Sequence, residues 1–182
     1  MKNIKLIAGF FLILTSLTFT SCENEPIDSA INLDDFGGGG SGAAGTLTAK
    51  TGSDTFNALQ IEAELSGSAF GPELNISGIM ANGKIINIQL INPAVGTFLA
   101  NTNFENLLLF QYNEDFSGTN SFTSFNSSTS ESVGTLTITQ YDTTTKKISG
   151  TFSFTGFSST STTNQRQITD GIINNVTFTV AP

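Results

Sequence analysis

The reactive inventory of the chain is 15 carboxylates, one thiol and no imidazole in 182 residues. Those numbers exclude much chemistry before any motif is sought. Without histidine there is no Ser-His-Asp or Cys-His relay and no imidazole metal site. With a single cysteine there is neither an internal disulfide nor a thiolate metal cluster. What is left is carboxylate chemistry, the lone thiol, and the hydroxyl and backbone groups of loops.

The carboxylates form no evident pair. Glycoside hydrolysis needs two acids about 5–10 Å apart across a cleft. Glu62, Glu64, Glu73 and Glu105 are the candidates, yet nothing in their spacing brings two together. Glu62 and Glu64 would share one face of a strand, where two acids on a wet surface ordinarily serve solubility. Asn113, Asp115, Ser117 and Gly118 echo the first half of a calcium loop. The echo is incomplete, because position 1 is Asn and the closing bidentate Glu is replaced by Ser124, leaving Glu114 or a distant acid to finish the shell. The reading is therefore no metal site, with Asn113, Asp115 and Ser117 as the one weak calcium candidate.

Phosphate-loop patterns fail on context. "GIMANGKI" (78–85) fits G-x-x-x-x-G-K but continues with Ile85, where Mg²⁺ binding needs Ser or Thr, and no helix pattern follows. Gly37 to Gly40 have neither a strand before them nor a helix after. No cofactor is implied, and no catalytic residue can be assigned, so the chain reads as a non-enzyme. A net charge of −8 argues against nucleic acid as a partner.

The thiol is better placed than the acids. Lys2 and Lys5 precede the apolar run 6–19, which as a helix would rise about 21 Å against a hydrocarbon core of roughly 30 Å. That is the pattern of a signal peptide and too short for a membrane span. "LTFTSC" (17–22) resembles a bacterial lipobox, with Phe19 where the commonest form carries Leu and Ser21 at the last position. The resemblance implies cleavage before Cys22 and attachment of palmitate-type acyl chains to its sulfur. Each buried CH₂ contributes about 0.8 kcal/mol, so several chains hold a protein that one would release. After cleavage, five of the seven basic residues face all 15 acidic ones, a net charge of −10.

These segments divide the chain into a signal peptide (1–21), the lipidated cysteine with an acidic, Gly-rich tether (22–45), and a β-domain (46–182). The tether's average reach is about 25 Å. From Thr46 onward, period-2 alternation dominates. In "KKISGTFSFTG" Ile148, Phe152 and Phe154 alternate with Ser and Thr, and in "GTLTITQYD" Leu136 and Ile138 do the same. This is the signature of antiparallel strands with one wet face. "DTTTKK" joins them as a hairpin loop. Asn82-Gly83 between "LNISGIM" and "KIINIQL" predicts a two-residue type I′ turn. Further strands are expected at 46–50, 54–58, 95–100, 106–112, 119–125 and 172–180, with Val176, Phe178 and Val180 inward. "LQIEAEL" (59–65) leans to strand, and "SFNSSTSES" and "FSSTSTTNQ" read as loops. Some nine or ten short strands imply an all-β antiparallel sandwich or closed barrel, with most of the Phe residues in its core.

The lipobox, the tether and the tail with "ISGTFSFTG", "ITDG" and a final strand together resemble a family of small, uncharacterised lipoproteins of Bacteroidota. The resemblance implies an envelope location and an all-β domain, and it transfers no catalytic residues. "CENEP", with acids at 23 and 25, resembles the signal that exports such lipoproteins to the cell surface. "DSA" and "DTT" resemble O-glycosylation motifs of the same bacteria, which would place sugars on Ser29 and Thr143. The expectation is an outer-membrane lipoprotein, held by Cys22 and exposed at the surface, that binds a protein, glycan or apolar ligand. The other reading is a lipocalin-like carrier with an internal apolar cavity.

Overall fold

The computed structural model describes residues 44–158, 161 and 164–181. Cys22 and Ser29 lie outside the described residues, as do the signal peptide and nearly all of the tether. Fourteen strands and no helix are found among the described residues. They are β1 (Thr46–Thr51), β2 (Asp54–Asn57), β3 (Gln60–Ser68), β4 (Gly71–Ile79), β5 (Ile85–Ile91), β6 (Gly96–Leu99), β7 (Leu108–Asn113), β8 (Ser121–Thr123), β9 (Phe125–Asn126), β10 (Glu131–Ser132), β11 (Gly134–Asp142), β12 (Lys147–Ser158), β13 (Gln165–Thr177) and β14 (Thr179–Val180).

Twelve strands form one sheet in the order β14-β3-β4-β5-β7-β8-β12-β13-β1-β2, with β11 paired to β12 and carrying β6 on its outer side. Strands β9 and β10 form a small hairpin of their own. β13 and β14 are separated only by Phe178, yet β13 lies between β12 and β1, while β14 pairs in parallel with β3 at the far end of the order. The sheet therefore curls toward itself as a half-barrel, which is how one all-β sheet covers a core on its concave side.

Alternation explains the packing. Ile61 and Ala63 of β3, Leu74 and Ile76 of β4, and Ile86, Ile88 and Leu90 of β5 are buried, and so are Phe110 and Tyr112 of β7. Leu136, Ile138, Ile148, Phe152, Phe154, Ile168 and Phe178 close the same core from the other wall. Phe110 stacks on Phe154 with ring centres 4.8 Å apart and on Phe152 at 6.1 Å. Half of the 12 described Phe residues are buried; Phe70, Phe104 and Phe116 stand exposed.

Several local expectations are corrected. The "ANG" connection is a three-residue loop: Gly83 N donates to Met80 O at 3.0 Å and Met80 N to Lys84 O at 2.9 Å. Only Gly83 has positive φ (86°), so the turn is type I followed by a left-handed glycine, and not type I′. The last long strand starts at Gln165 instead of 172, because Asp170 (φ 50°) forms a bulge that lets β13 continue through the polar "TDG". Val180 is half exposed on the short β14. The loop expected at "SFNSSTSES" contains the β9–β10 hairpin, and the strand expected at 119–125 breaks at Ser124. "LQIEAEL" is strand from Gln60 on, where β3 begins, with Leu59 in the bend before it.

Candidate functional site

The outward positions of β3, β4, β5 and β7 form two aligned cross-strand rows. Glu62 stands opposite Ser77, Ser77 opposite Asn87, and Asn87 opposite Gln111. One pleat further along, Glu64 stands opposite Asn75, Asn75 opposite Gln89, and Gln89 opposite Leu109. Neighbouring strands lie about 4.8 Å apart, so each row spans roughly 14 Å. The rows floor an open trough of about 870 Å³, whose lining also includes Ala44, Thr177 and Thr179. None of the described lining residues is basic.

Hydrogen bonds tie part of this surface down. Glu73 Oε1 accepts from Gln89 Nε2 at 2.8 Å and from Asn75 Nδ2 at 2.9 Å. Gln60 Nε2 donates to Glu62 Oε1 at 2.7 Å, and Gln111 Nε2 donates to Ser121 Oγ at 2.9 Å. The side chains of Asn87, Ser77 and Glu64 have no hydrogen-bond partner among the described residues. The trough thus presents fixed amide groups beside uncommitted ones. An amide both donates and accepts, so such a surface can hold groups that do the same.

The strands of the trough lead into loops that carry an aromatic pair. Phe70 sits in the β3–β4 turn and Phe104 in the β6–β7 connection, with rings stacked at 5.4 Å and 22°. Both rings are more than half exposed. Asn92, just past β5, holds the two loops together: Nδ2 donates to Phe70 O at 3.3 Å and to Glu105 O at 3.1 Å. Its backbone is left-handed (φ 56°), and Gly71 (φ 128°) faces it where a Cβ would run into the Asn92 amide.

The residues singled out from sequence fall as follows. Glu62 and Glu64 do share the outward face of β3 and both line the trough, with Glu73 linked to it through Gln89 and Asn75. Glu105 lies apart, in the β6–β7 connection. Asn113 ends β7, with Oδ1 accepting from Gln111 Nε2 at 3.2 Å. Asp115 accepts from Ser117 Oγ and from Asn120 Nδ2, and the Ser117 bond holds its carboxyl below the usual range. Glu114 is engaged by Arg166 at 2.7 Å, and the Arg166 guanidinium lies 4.8 Å over the Phe122 ring. No group of three acids arranged for a metal ion occurs among the described residues. Thr143 is exposed at the tip of the β11–β12 hairpin. Asp142 beside it accepts Thr145 Oγ1 at 2.7 Å and the amides of Thr144 and Thr145 at 2.8 and 3.0 Å, which lowers its pKa.

Sequence reasoning missed Asn75, Ser77, Asn87, Gln89 and Gln111. Each reads as a plain wet-face residue, and only the pairing register assembles them. The exposed Phe70–Phe104 pair was missed because Phe in a β-domain is ordinarily core.

No curated protein matches the chain, and no solved structure does. A family model described as a domain of unknown function (DUF6252) matches residues 44–177, which is the β-domain from just before β1 to the end of β13. The chain belongs to the DUF6252 family.

Proposed function

We propose that the chain is a lipid-anchored envelope protein whose β-domain is a binding module and not an enzyme, with the trough on β3, β4, β5 and β7 as its binding surface. The observation that carries the binding reading is the pair of cross-strand rows, in which Glu64, Ser77 and Asn87 have no side-chain partner among the described residues while Glu73 fixes Gln89 and Asn75 beside them. Groups held in place before a ligand arrives lose less entropy on binding.

The anchor rests on the sequence around Cys22, and the surface location on Glu23 and Glu25 just after it. An internal carrier has less support, since the aromatic side chains that would line its cavity stack on one another, Phe110 on Phe154 and Tyr141 on Phe178. The domain's negative charge keeps it off anionic membrane faces, as suits a module held away from the bilayer.

Labelling cells with radioactive palmitate tests the anchor. Label on the wild type, no label on Cys22→Ala, and release of that variant from the membrane fraction are expected. A Cys22→Ala protein that stays in the membrane fraction overturns lipid anchoring. Protease treatment of whole cells tests the surface location: loss of the domain is expected, and full protection places it on the periplasmic side.

A further inference from the structure

We infer that the trough takes a neutral, hydroxyl-rich oligosaccharide, laid along the strands with one end stacked on the Phe70–Phe104 pair. This rests on the reading of the trough as the binding surface and names the class of ligand it holds.

Three features select that class. The first is the amide floor. A sugar hydroxyl both donates and accepts, and vicinal hydroxyls are best met by groups that do the same; Asn87, Gln89 and Gln111 are such groups. The second is charge. Among the described residues the lining holds Glu62 and Glu64 and no basic residue, so phosphate, sulfate and acidic sugars meet repulsion with nothing there to pair them. The three described ion pairs, Lys50–Asp170, Lys84–Asp54 and Arg166–Glu114, involve no lining residue.

The third is the aromatic pair. Exposed stacked rings offer a flat apolar face whose electron-rich surface suits the C–H groups of a pyranose ring. The pair is built by the loops at one end of the trough strands: β3 runs into the turn of Phe70, β5 into Asn92, and the loop of Phe104 leads into β7. Asn92 lies three residues beyond Gln89, about 10 Å along the strand, so rows and rings are within reach of one short chain. Asn92 donates to the carbonyls on both sides of the gap, and that contact keeps the two aromatic loops together.

A peptide is the poorer fit. The trough lies on a sheet face, where the strand amides already serve the neighbouring strands, so a peptide could not add itself as another strand. A cationic peptide drawn to Glu62 and Glu64 is the competing ligand, and the experiment includes it.

The test is native affinity electrophoresis of the detergent-solubilised full chain. The gels contain glycogen, yeast mannan or mixed-linkage β-glucan, or polygalacturonate as an acidic comparison, and poly-lysine binding is measured separately. Retardation by at least one neutral polysaccharide and none by polygalacturonate is expected. Asn87→Ala with Gln89→Ala should weaken retention at least tenfold, and Phe70→Ala with Phe104→Ala several-fold, with melting temperatures near that of the wild type. Should the double variants melt early, Ser77→Ala, a partly exposed single change, replaces them and should weaken retention measurably. Retardation that the variants do not alter, or equal retardation by polygalacturonate, overturns the inference. No retardation by the neutral panel, with poly-lysine binding that Asn87 and Gln89 control, overturns the glycan but leaves the trough as a binding surface. No trough-dependent retention of any probe overturns both.

Discussion

Glu73 and Gln89 sit on adjacent strands, and the Glu73 carboxylate accepts the Gln89 side-chain amide at 2.8 Å while also accepting that of Asn75 at 2.9 Å. One carboxylate thus orients two members of the same cross-strand row. Glu73 itself sits beside the trough, so its part is positioning. Glu73→Ala is expected to leave stability within about 0.5 kcal/mol, as for surface changes generally. The Asn75 and Gln89 side-chain amides should become more mobile, seen as lower NMR order parameters. Unchanged order parameters would show that the row does not depend on Glu73.

Ser124 is the buried polar residue that marks the break between β8 and β9. Its amide donates to Phe110 O at 2.9 Å, and its hydroxyl accepts from Phe110 N at 3.1 Å. The side chain replaces the carbonyl that an unbroken ladder would offer. Ser124→Ala strands the Phe110 N–H in the core, at a cost of about 1–3 kcal/mol. Urea denaturation measures it; a loss below about 0.5 kcal/mol would contradict this role.

Gly83 and Gly118 separate two costs of a side chain. Both have positive φ, 86° and 67°, but a Cβ on Gly83 would lie 2.7 Å from the Phe116 ring, while one on Gly118 meets nothing within 4 Å. Gly118→Ala should cost about 1 kcal/mol from backbone strain alone. Gly83→Ala should cost at least as much, with Phe116 displaced. Thermal melting of the two variants compares them, and a Gly83→Ala protein as stable as wild type would refute the left-handed loop.

Asp142 makes the β11–β12 hairpin sensitive to acid. Its folded pKa is lowered, first by the Thr145 hydroxyl and then by the Thr145 and Thr144 amides. A depressed carboxylate stabilises the fold fully above its unfolded value, near 3.9, and the contribution disappears as pH falls through the lower folded value. Melting temperature should therefore be level in this respect above about pH 5 and decline below about pH 4. Asp142→Asn keeps an acceptor for the amides but has no charge to lose, so its decline should be shallower. Asp115, lowered by Ser117, declines equally in both proteins. Parallel curves down to about pH 2 would exclude the hairpin from the acid response.

Much of the fold was legible from local pattern. Alternation in "GTLTITQYD" and "KKISGTFSFTG" marked β11 and β12 because one face of each is wet and the other is core. "ITDG" was harder: the polar residues hide a strand whose Asp170 bulge keeps β13 going on either side. The break at Ser124 was illegible, since a serine that stands in for a backbone carbonyl looks like any serine. The trough could not be read at all from single strands. Asn87 and Gln111 are 24 positions apart and become neighbours only when β5 pairs with β7, a long-range choice that no local period encodes.

The trough is tested most directly by following the Asn and Gln side-chain amides in ¹⁵N-labelled protein as a neutral polysaccharide is added. Shifts at Asn87, Gln89 and Gln111 are predicted, with Gln140 on β11, a strand paired to β12 and β6 and contributing nothing to the trough lining, unmoved. Binding with those three amides unmoved, or shifts centred on β1 and β2, would contradict the assignment of the trough as the binding surface.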